Sequence, residues 1–266
     1  MIVLHDNLAS VAAQKVRLVL AEKGLPWRST YVDLRNGDVM KPGYLALNPL
    51  GVVPTLEHDG AVIRESGIII EYLDDLAPQP PLRPDEALQR ARMRAWIRRI
   101  DDTVQRAIGN LSMAIYIRDA HLAKPPGERE AYFAQMPDRD RAERQQVAIA
   151  SGTDGPQFEA AVRVLSQLVD DLDRVLGEGD WLAGGRFSLA EVAVLPFVTR
   201  LEMVAMDPLW SGGRRPRMHA WWGRLQARPS WQRQVRDAFP SSARERMRER
   251  GLQAWPVIAR IVGLNP

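Results

Sequence analysis

Apolar and polar positions follow two different regimes along the chain. Up to about residue 78 the apolar runs are short and punctuated. Ile2-Val3-Leu4 reads as a strand, and Val11, Ala12, Val16, Val19 and Leu20 recur at helical spacing within 10–23. Gly24 and Pro26 stop that helix, and Trp27 to Val32 reads as a second strand. Such a β-α-β unit joins parallel strands through a right-handed crossover. Gly37, Pro42, Gly43, Pro49 and Gly51 break up 34–51, leaving room for one short helix around Tyr44–Leu47. Thr55–His58 and Ala61–Ile63 flank Asp59-Gly60, a hairpin signal, and a helix is predicted from Ser66 to Leu76.

Pro78, Pro80, Pro81 and Pro84 then mark a stiff linker. Beyond it the period is helical almost throughout. Long amphipathic stretches cover 86–118 and 158–176, followed by shorter ones over 188–206 and 217–227. Residues 124–156 differ, with Pro-Pro, Gly and dense mixed charge, and predict one helix with a mobile loop on each side. The tail from Arg244 to Pro266 alternates arginine with apolar residues and predicts a helix lying over the preceding ones, covering a cleft. The expected division is an α/β domain over 1–78, a linker over 79–87 and an all-helical domain over 88–266.

Composition narrows the chemistry. With 266 residues, 45% hydrophobic and 26% charged, the chain suits an ordinary two-domain globular protein. A net charge of +3 with interleaved acids and bases gives no basic stripe, so no nucleic-acid partner is expected. No apolar run reaches a membrane span, so no membrane association is expected either. The absence of cysteine excludes disulfides, thiolate zinc sites, a CxxC pair and a cysteine nucleophile. Together with an opening MIVLHDNLAS that lacks a secretory pattern, this predicts a cytoplasmic location. The four histidines are scattered, and no metal site is expected.

Several motifs occur in one order. Ser10-x-x-x-Gln14-Lys15-Val16-Arg17-Leu18 is followed by Ala21-Glu22-Lys23-Gly24-Leu25, then Leu47-Asn48-Pro49-Leu50-Gly51-Val52-Val53-Pro54-Thr55-Leu56, then Arg64-Glu65-Ser66, and far downstream Phe187-Ser188-Leu189-Ala190-Glu191. Over nearly its whole length the chain resembles the cytosolic glutathione transferases, most closely the serine-type members. The long helical part with its charged insertion also resembles bacterial and fungal members acting on lignin-derived aromatics, the β-etherases among them. The resemblance implies a thioredoxin-like N-terminal domain, an all-α C-terminal domain, glutathione as co-substrate and a two-fold homodimer.

It also implies roles. The backbone of the residue before a cis proline, here Val53 before Pro54, would pair with the cysteinyl part of glutathione as a strand edge does. Read alone, Pro54 is equally a breaker before a strand. Glu65 would face the γ-glutamyl ammonium, and Ser66, opening a helix, its carboxylate. Ser66 also suits a plain N-cap. Ser10 would donate its hydroxyl to the glutathione sulfur and favour the thiolate, with Asn7 as the alternative donor. A plain N-cap is the other reading of Ser10. Where relatives hold the glycyl carboxylate with Gln, His or Lys, this chain has Val39 and Met40, so Lys41 is the candidate, with a solvated surface charge as its other reading. Ser188 and Glu191 form a capping box of structural value.

The second substrate is expected between the domains, against Ala12, Trp96, Met113, Tyr116 and Arg118, although aromatic and Met side chains at helical spacing equally suit a core. The function so implied is activation of the glutathione thiolate for attack on a hydrophobic, aromatic, small-molecule electrophile, with aryl-ether cleavage as a specific version. The alternative is a non-catalytic ligand carrier or a protein-interaction module, since fold does not fix function. A reductase using its own cysteine is excluded by composition.

Overall fold

The computed structural model describes residues 1–265. The chain opens with β1 (Ile2–Asp6), α1 (Val11–Glu22) and β2 (Trp27–Tyr31), continues through α2 (Pro42–Leu47), β3 (Thr55–His58) and β4 (Ala61–Ile63), and reaches α3 (Ser66–Leu76). The sheet order is β2-β1-β3-β4, with β1 parallel to β2 and antiparallel to β3. This is the thioredoxin-like arrangement, and α1 and α3 both pack across it through buried Val16, Leu20, Ile69 and Ile70. The β1 burial is continuous rather than alternating because the strand is central.

The helical part begins with a continuous rod. It comprises α4 (Ala87–Arg99), a π-helical turn at Ile100–Val104, α5 (Gln105–Ser112), a second π-helical turn at Met113–Ile117 and α6 (Arg118–Leu122). Then come α7 (Pro126–Ala134), α8 (Arg139–Ser151), α9 (Pro156–Val175), α10 (Leu189–Met203), α11 (Pro216–Gln226), α12 (Pro229–Trp231) and α13 (Ser241–Ile261). Among the described residues no helix is long and apolar enough to cross a membrane.

Two expectations need correcting. The segment 124–156 is not one helix between loops but two helices, α7 and α8, with Asp138 capping α8 by accepting the Arg141 N–H at 2.9 Å. The mixed charge hid Phe133, Met136, Ala142, Ala148 and Ile149, which are buried. The tail helix α13 starts three residues earlier than expected and packs on α9, α10 and the Met113–Ile117 turn. Its Gly251 sits directly against the backbone of Val204, and Pro266, in the expected helix, lies outside the described residues.

Buried polar contacts tie the two halves. Asp74, at the end of α3, accepts the Leu82 N–H at 2.9 Å and pairs with Lys23 and Arg83, while Leu189 N–H donates to Leu82 O at 2.8 Å. The proline-rich connection is thereby pinned on both sides. Arg228 grips Glu22 through two hydrogen bonds of 2.9 and 2.7 Å, fastening the end of α1 to the α11–α12 corner. Inside α10, Glu191 is fully buried and accepts from Ser188 N–H at 2.9 Å, Ser188 Oγ at 2.7 Å and Leu182 N–H at 2.6 Å. Burial raises its carboxyl pKa and these donors oppose the rise.

Candidate active site

The loop between β1 and α1 is built by Asn7. Its Oδ1 accepts the Ala9 N–H at 2.9 Å and its Nδ2 donates to Val32 O at 2.9 Å, so the carboxamide is engaged at both ends. The Asn7 carbonyl accepts the Ser10 N–H at 2.9 Å. Ser10 then caps α1, its Oγ accepting the Ala13 N–H at 3.2 Å. Accepting uses an oxygen lone pair and leaves the hydroxyl proton to donate elsewhere. The capping reading and the thiol-donor reading of Ser10 are therefore compatible, and Asn7 shapes the loop that presents it.

Val53 and Pro54 are joined by a cis peptide bond. The preceding loop is held by Tyr44, whose hydroxyl donates to Val52 O at 2.7 Å, and by Asn48, whose Nδ2 donates to the same carbonyl at 2.9 Å. Glu65 stands before α3 with φ 64° and ψ 112°, a left-handed conformation that is costly for a residue with a side chain. Its side chain is exposed, Ser66 is buried, and the first-turn N–H groups of α3 follow directly. Strain of this kind persists where surroundings impose it, and here it sets a carboxylate and a helix N-terminus side by side.

Beneath that helix start lies a charge pair the sequence reading missed. Lys15 has no exposed surface, and its Nζ donates to Asp101 Oδ1 on the first π-helical turn. Burial lowers the Lys15 pKa, and the Asp101 carboxylate opposes this. Asp101 Oδ2 and Ile97 Cγ2 lie so close to Gly67 that an added Cβ would have to displace them.

The departure at residues 39 and 40 has a packing explanation. Val39 and Met40 are buried in an apolar cluster with Val53, Met113, Phe133 and Ile149. The α7–α8 pair thus packs over the loop that carries them. Tyr132 OH donates to Leu34 O at 3.0 Å, and Arg141 Nη2 donates to Gly51 O at 3.2 Å. Gly51 has φ 58° and lies against Pro137, so a side chain there would be strained and tightly packed. Lys41 is exposed and pairs with Asp38 at 2.6 Å. Arg141 brings a second cation to this edge, and desolvation lowers its pKa.

The pocket candidates separate. Met113 and Tyr116 share the second π-helical turn, and Met113 joins the Val53 cluster. Tyr116 is linked through Arg200 to the carbonyl of Ala9, next to Ser10. Ala12 is half-buried on the first turn of α1. Trp96 instead packs in the main core, 8% exposed, with Arg99 over its ring at 5.3 Å. Arg118 turns to Ile149 O at 3.1 Å and lies against Gly152 at the end of α8. The structure thus ties Tyr116 through Arg200 to the segment that leads into Ser10, and leaves Trp96 and Arg118 to packing. In the sequence the signal for Arg200 was an arginine within the largely apolar stretch 189–203.

Two family models match the chain. "Glutathione S-transferase, N-terminal domain" covers residues 9–76 and "Glutathione S-transferase, C-terminal domain" covers 155–224. Protein LigF of Sphingobium sp. strain SYK-6 is 26% identical, over 87% of this chain and 90% of LigF. The crystal structure of that β-etherase superposes with a TM-score of 0.81 at 25% identity, covering 89% of this chain and 99% of LigF. Glutathione S-transferase TCHQD of Arabidopsis thaliana is 26% identical over 87% of this chain and 88% of its own length. A theta-class glutathione S-transferase from Xanthomonas axonopodis pv. citri, solved with glutathione bound, has a TM-score of 0.62 at 25% identity, covering 88% of this chain and 96% of the other.

Proposed function

Because this chain belongs to the glutathione S-transferase family, we propose that it binds glutathione as co-substrate and activates its thiol for attack on a hydrophobic, aromatic electrophile. The observation that carries this reading is Ser10, whose oxygen caps α1 while its hydroxyl proton stays uncommitted. A donor to sulfur at a helix start favours the anion over the thiol. Glutathione supplies the nucleophile; the chain supplies position and charge.

The residues present suit such a ligand. Val53 offers its backbone beside cis-Pro54. Glu65 presents a carboxylate to the γ-glutamyl ammonium, and Ser66 with the α3 N-terminus takes the γ-glutamyl carboxylate. At the glycyl end we assign Lys41 and Arg141 in place of the polar groups that Val39 and Met40 replace. Met113, Tyr116 and Ala12 line the electrophile side, and the similarity to a β-etherase supports an aryl ether as one electrophile. The proposed division is residues 1–78 for glutathione, 79–87 as connection and 88–266 for the electrophile. Exposed Ile68 and Leu88, at 60% and 64%, support a homodimer through the α3–α4 face, which light scattering tests. The proposed compartment is the cytoplasm, which cell fractionation tests.

Calorimetry with glutathione, paired with the ultraviolet thiolate band, tests the central claim. Wild type is expected to bind and to show thiolate near neutral pH, and Ser10→Ala to bind without it. Binding with no thiolate in wild type points to a ligand carrier, and no binding at millimolar glutathione rejects the reading.

A further inference from the structure

Arg200 is 5% exposed, and its hydrogen-bond partners are all neutral oxygens. Nη2 donates to Ala9 O at 2.6 Å, and Nη1 donates to Ser112 Oγ at 3.4 Å and to the Tyr116 hydroxyl oxygen. Nε is buried and has no hydrogen-bond partner among the described residues. A guanidinium taken out of water among neutral acceptors keeps a charge that nothing cancels, and such a site favours a neighbouring anion.

Its placement says which anion. One edge of the guanidinium touches the residue before Ser10, and another touches Tyr116. One guanidinium therefore bridges the Ala9 carbonyl oxygen and the Tyr116 hydroxyl. The Tyr116 oxygen accepts from Arg200, so its own O–H proton is left to donate to something else. The ring is half-buried, with the guanidinium 5.6 Å from its centroid. A hydroxyl polarised by a cation is a stronger donor than a free one.

We propose that the Tyr116 hydroxyl, held and polarised by Arg200, stabilises the oxygen that departs from the substrate, so that the preferred electrophiles are aryl ethers releasing a phenolate. The inference rests on the transferase reading above. The glutathione sulfur, as thiolate, forms a C–S bond to the carbon bearing the ether oxygen. The C–O bond breaks, and its electron pair leaves on the aryl oxygen, to which Tyr116 donates as charge grows. The thiol proton has gone to solvent on binding, and the phenolate recovers a proton from water on release. The products are a thioether and a phenol, and no oxidant or reductant is consumed. Tyr116 is the group that touches substrate; Arg200 positions it.

The test uses the full chain, glutathione and a series of phenacyl aryl ethers that differ only in the substituent on the departing phenol. Wild-type rates are expected to depend weakly on the acidity of that phenol. Tyr116→Phe is expected to lose about a hundredfold on ethers of methoxyphenols and less than about tenfold on ethers of nitrophenols, the size of one oxyanion donor. Arg200→Gln should steepen the dependence in the same way, and Arg200→Lys should fall between. Should Arg200→Gln fail to fold, Tyr116→Phe, which removes a single oxygen, decides. A loss equal across the series overturns the proposal and makes the pair a packing device. Wild type that alkylates glutathione with phenacyl bromide yet cleaves no ether overturns this inference alone; wild type that binds no glutathione overturns the transferase reading with it.

Discussion

Lys15 Nζ meets Asp101 Oδ1 at 2.5 Å, joining the first helix of the sheet domain to a π-helical turn of the long rod. The lysine is wholly buried and the carboxylate is 30% exposed. Removing one partner of such a pair strands the other charge. Lys15→Met is expected to destabilise the fold by about 3 kcal/mol. Replacing both, as Lys15→Met with Asp101→Leu, should restore most of that. Urea unfolding of Lys15→Met, Asp101→Leu and the double variant measures it, and a double-variant loss equal to the sum of the two single losses would show that the pair is not coupled.

Gly67 stands where α3 begins, and Asp101 Oδ2 and Ile97 Cγ2 occupy the space that an added Cβ would take. Gly67→Ala forces that carboxylate or the rod aside. The expected cost is about 1–3 kcal/mol of stability. Because the same helix start is proposed to hold the γ-glutamyl end, the KM for glutathione should rise. A variant with wild-type melting temperature and wild-type KM would contradict the close approach.

Ser10 caps α1 and is the proposed thiol donor, and the two duties can be separated. Ser10→Ala should lose about 1 kcal/mol of stability with the cap. It should also lower kcat/KM for glutathione conjugation by about a hundredfold, as loss of a donor to a reacting anion does. Ser10→Asp restores a cap but places a negative charge at the sulfur, so it should recover stability without recovering rate. Recovery of both by aspartate would leave Ser10 with only the capping role.

Arg141 reaches over Gly51 from α8, and its proposed ligand is the glycyl carboxylate. Deleting the glycine from the ligand and the guanidinium from the protein should then have overlapping effects. Arg141→Ala is expected to weaken glutathione binding about tenfold or more, the range of a hydrogen bond to a charged group. The same variant should bind γ-glutamylcysteine as wild type does. Calorimetry with both ligands decides, and an equal loss for the two would remove Arg141 from the glycyl end.

His121 is half-buried against Tyr132 and Phe133, both 5.2 Å away, and Lys124 and Arg129 add positive charge nearby. Burial, then these two cations, lowers its pKa below the ordinary 6.5. The unfolded chain therefore takes up a proton, as pH falls through 6.5, that the folded chain refuses. Stability from this group is full above that pH and is lost as pH falls toward the lowered folded value. The α7–α8 pair is expected to exchange amide hydrogens faster at pH 5.5 than at 7.5, and His121→Phe should flatten that difference. Unchanged protection across this interval would show that His121 does not govern it.

Much of the scaffold was legible in the chain. Thr55–His58, Ala61–Ile63 and Ser66–Leu76 have the same bounds in the structure as in the sequence reading, because Asp59-Gly60 and Ser66 punctuate them locally. Ser10 at the start of α1, Pro54 before β3 and Ser66 at the start of α3 were readable because each punctuates the element beside it. Absent cysteine alone removed whole classes of chemistry. What tertiary structure decided is of a different kind. Lys15 and Asp101 are 86 positions apart, and Arg200 and Ala9 are 191 apart, so periodicity on either helix says nothing of the partner. The π-helical turns at Ile100–Val104 and Met113–Ile117 shift the phase of the rod, turning Asp101 and Tyr116 inward while Arg118 goes to α8. Val39 and Met40 are apolar for the sake of a neighbour some 95 residues downstream, and only folding brings that neighbour over them.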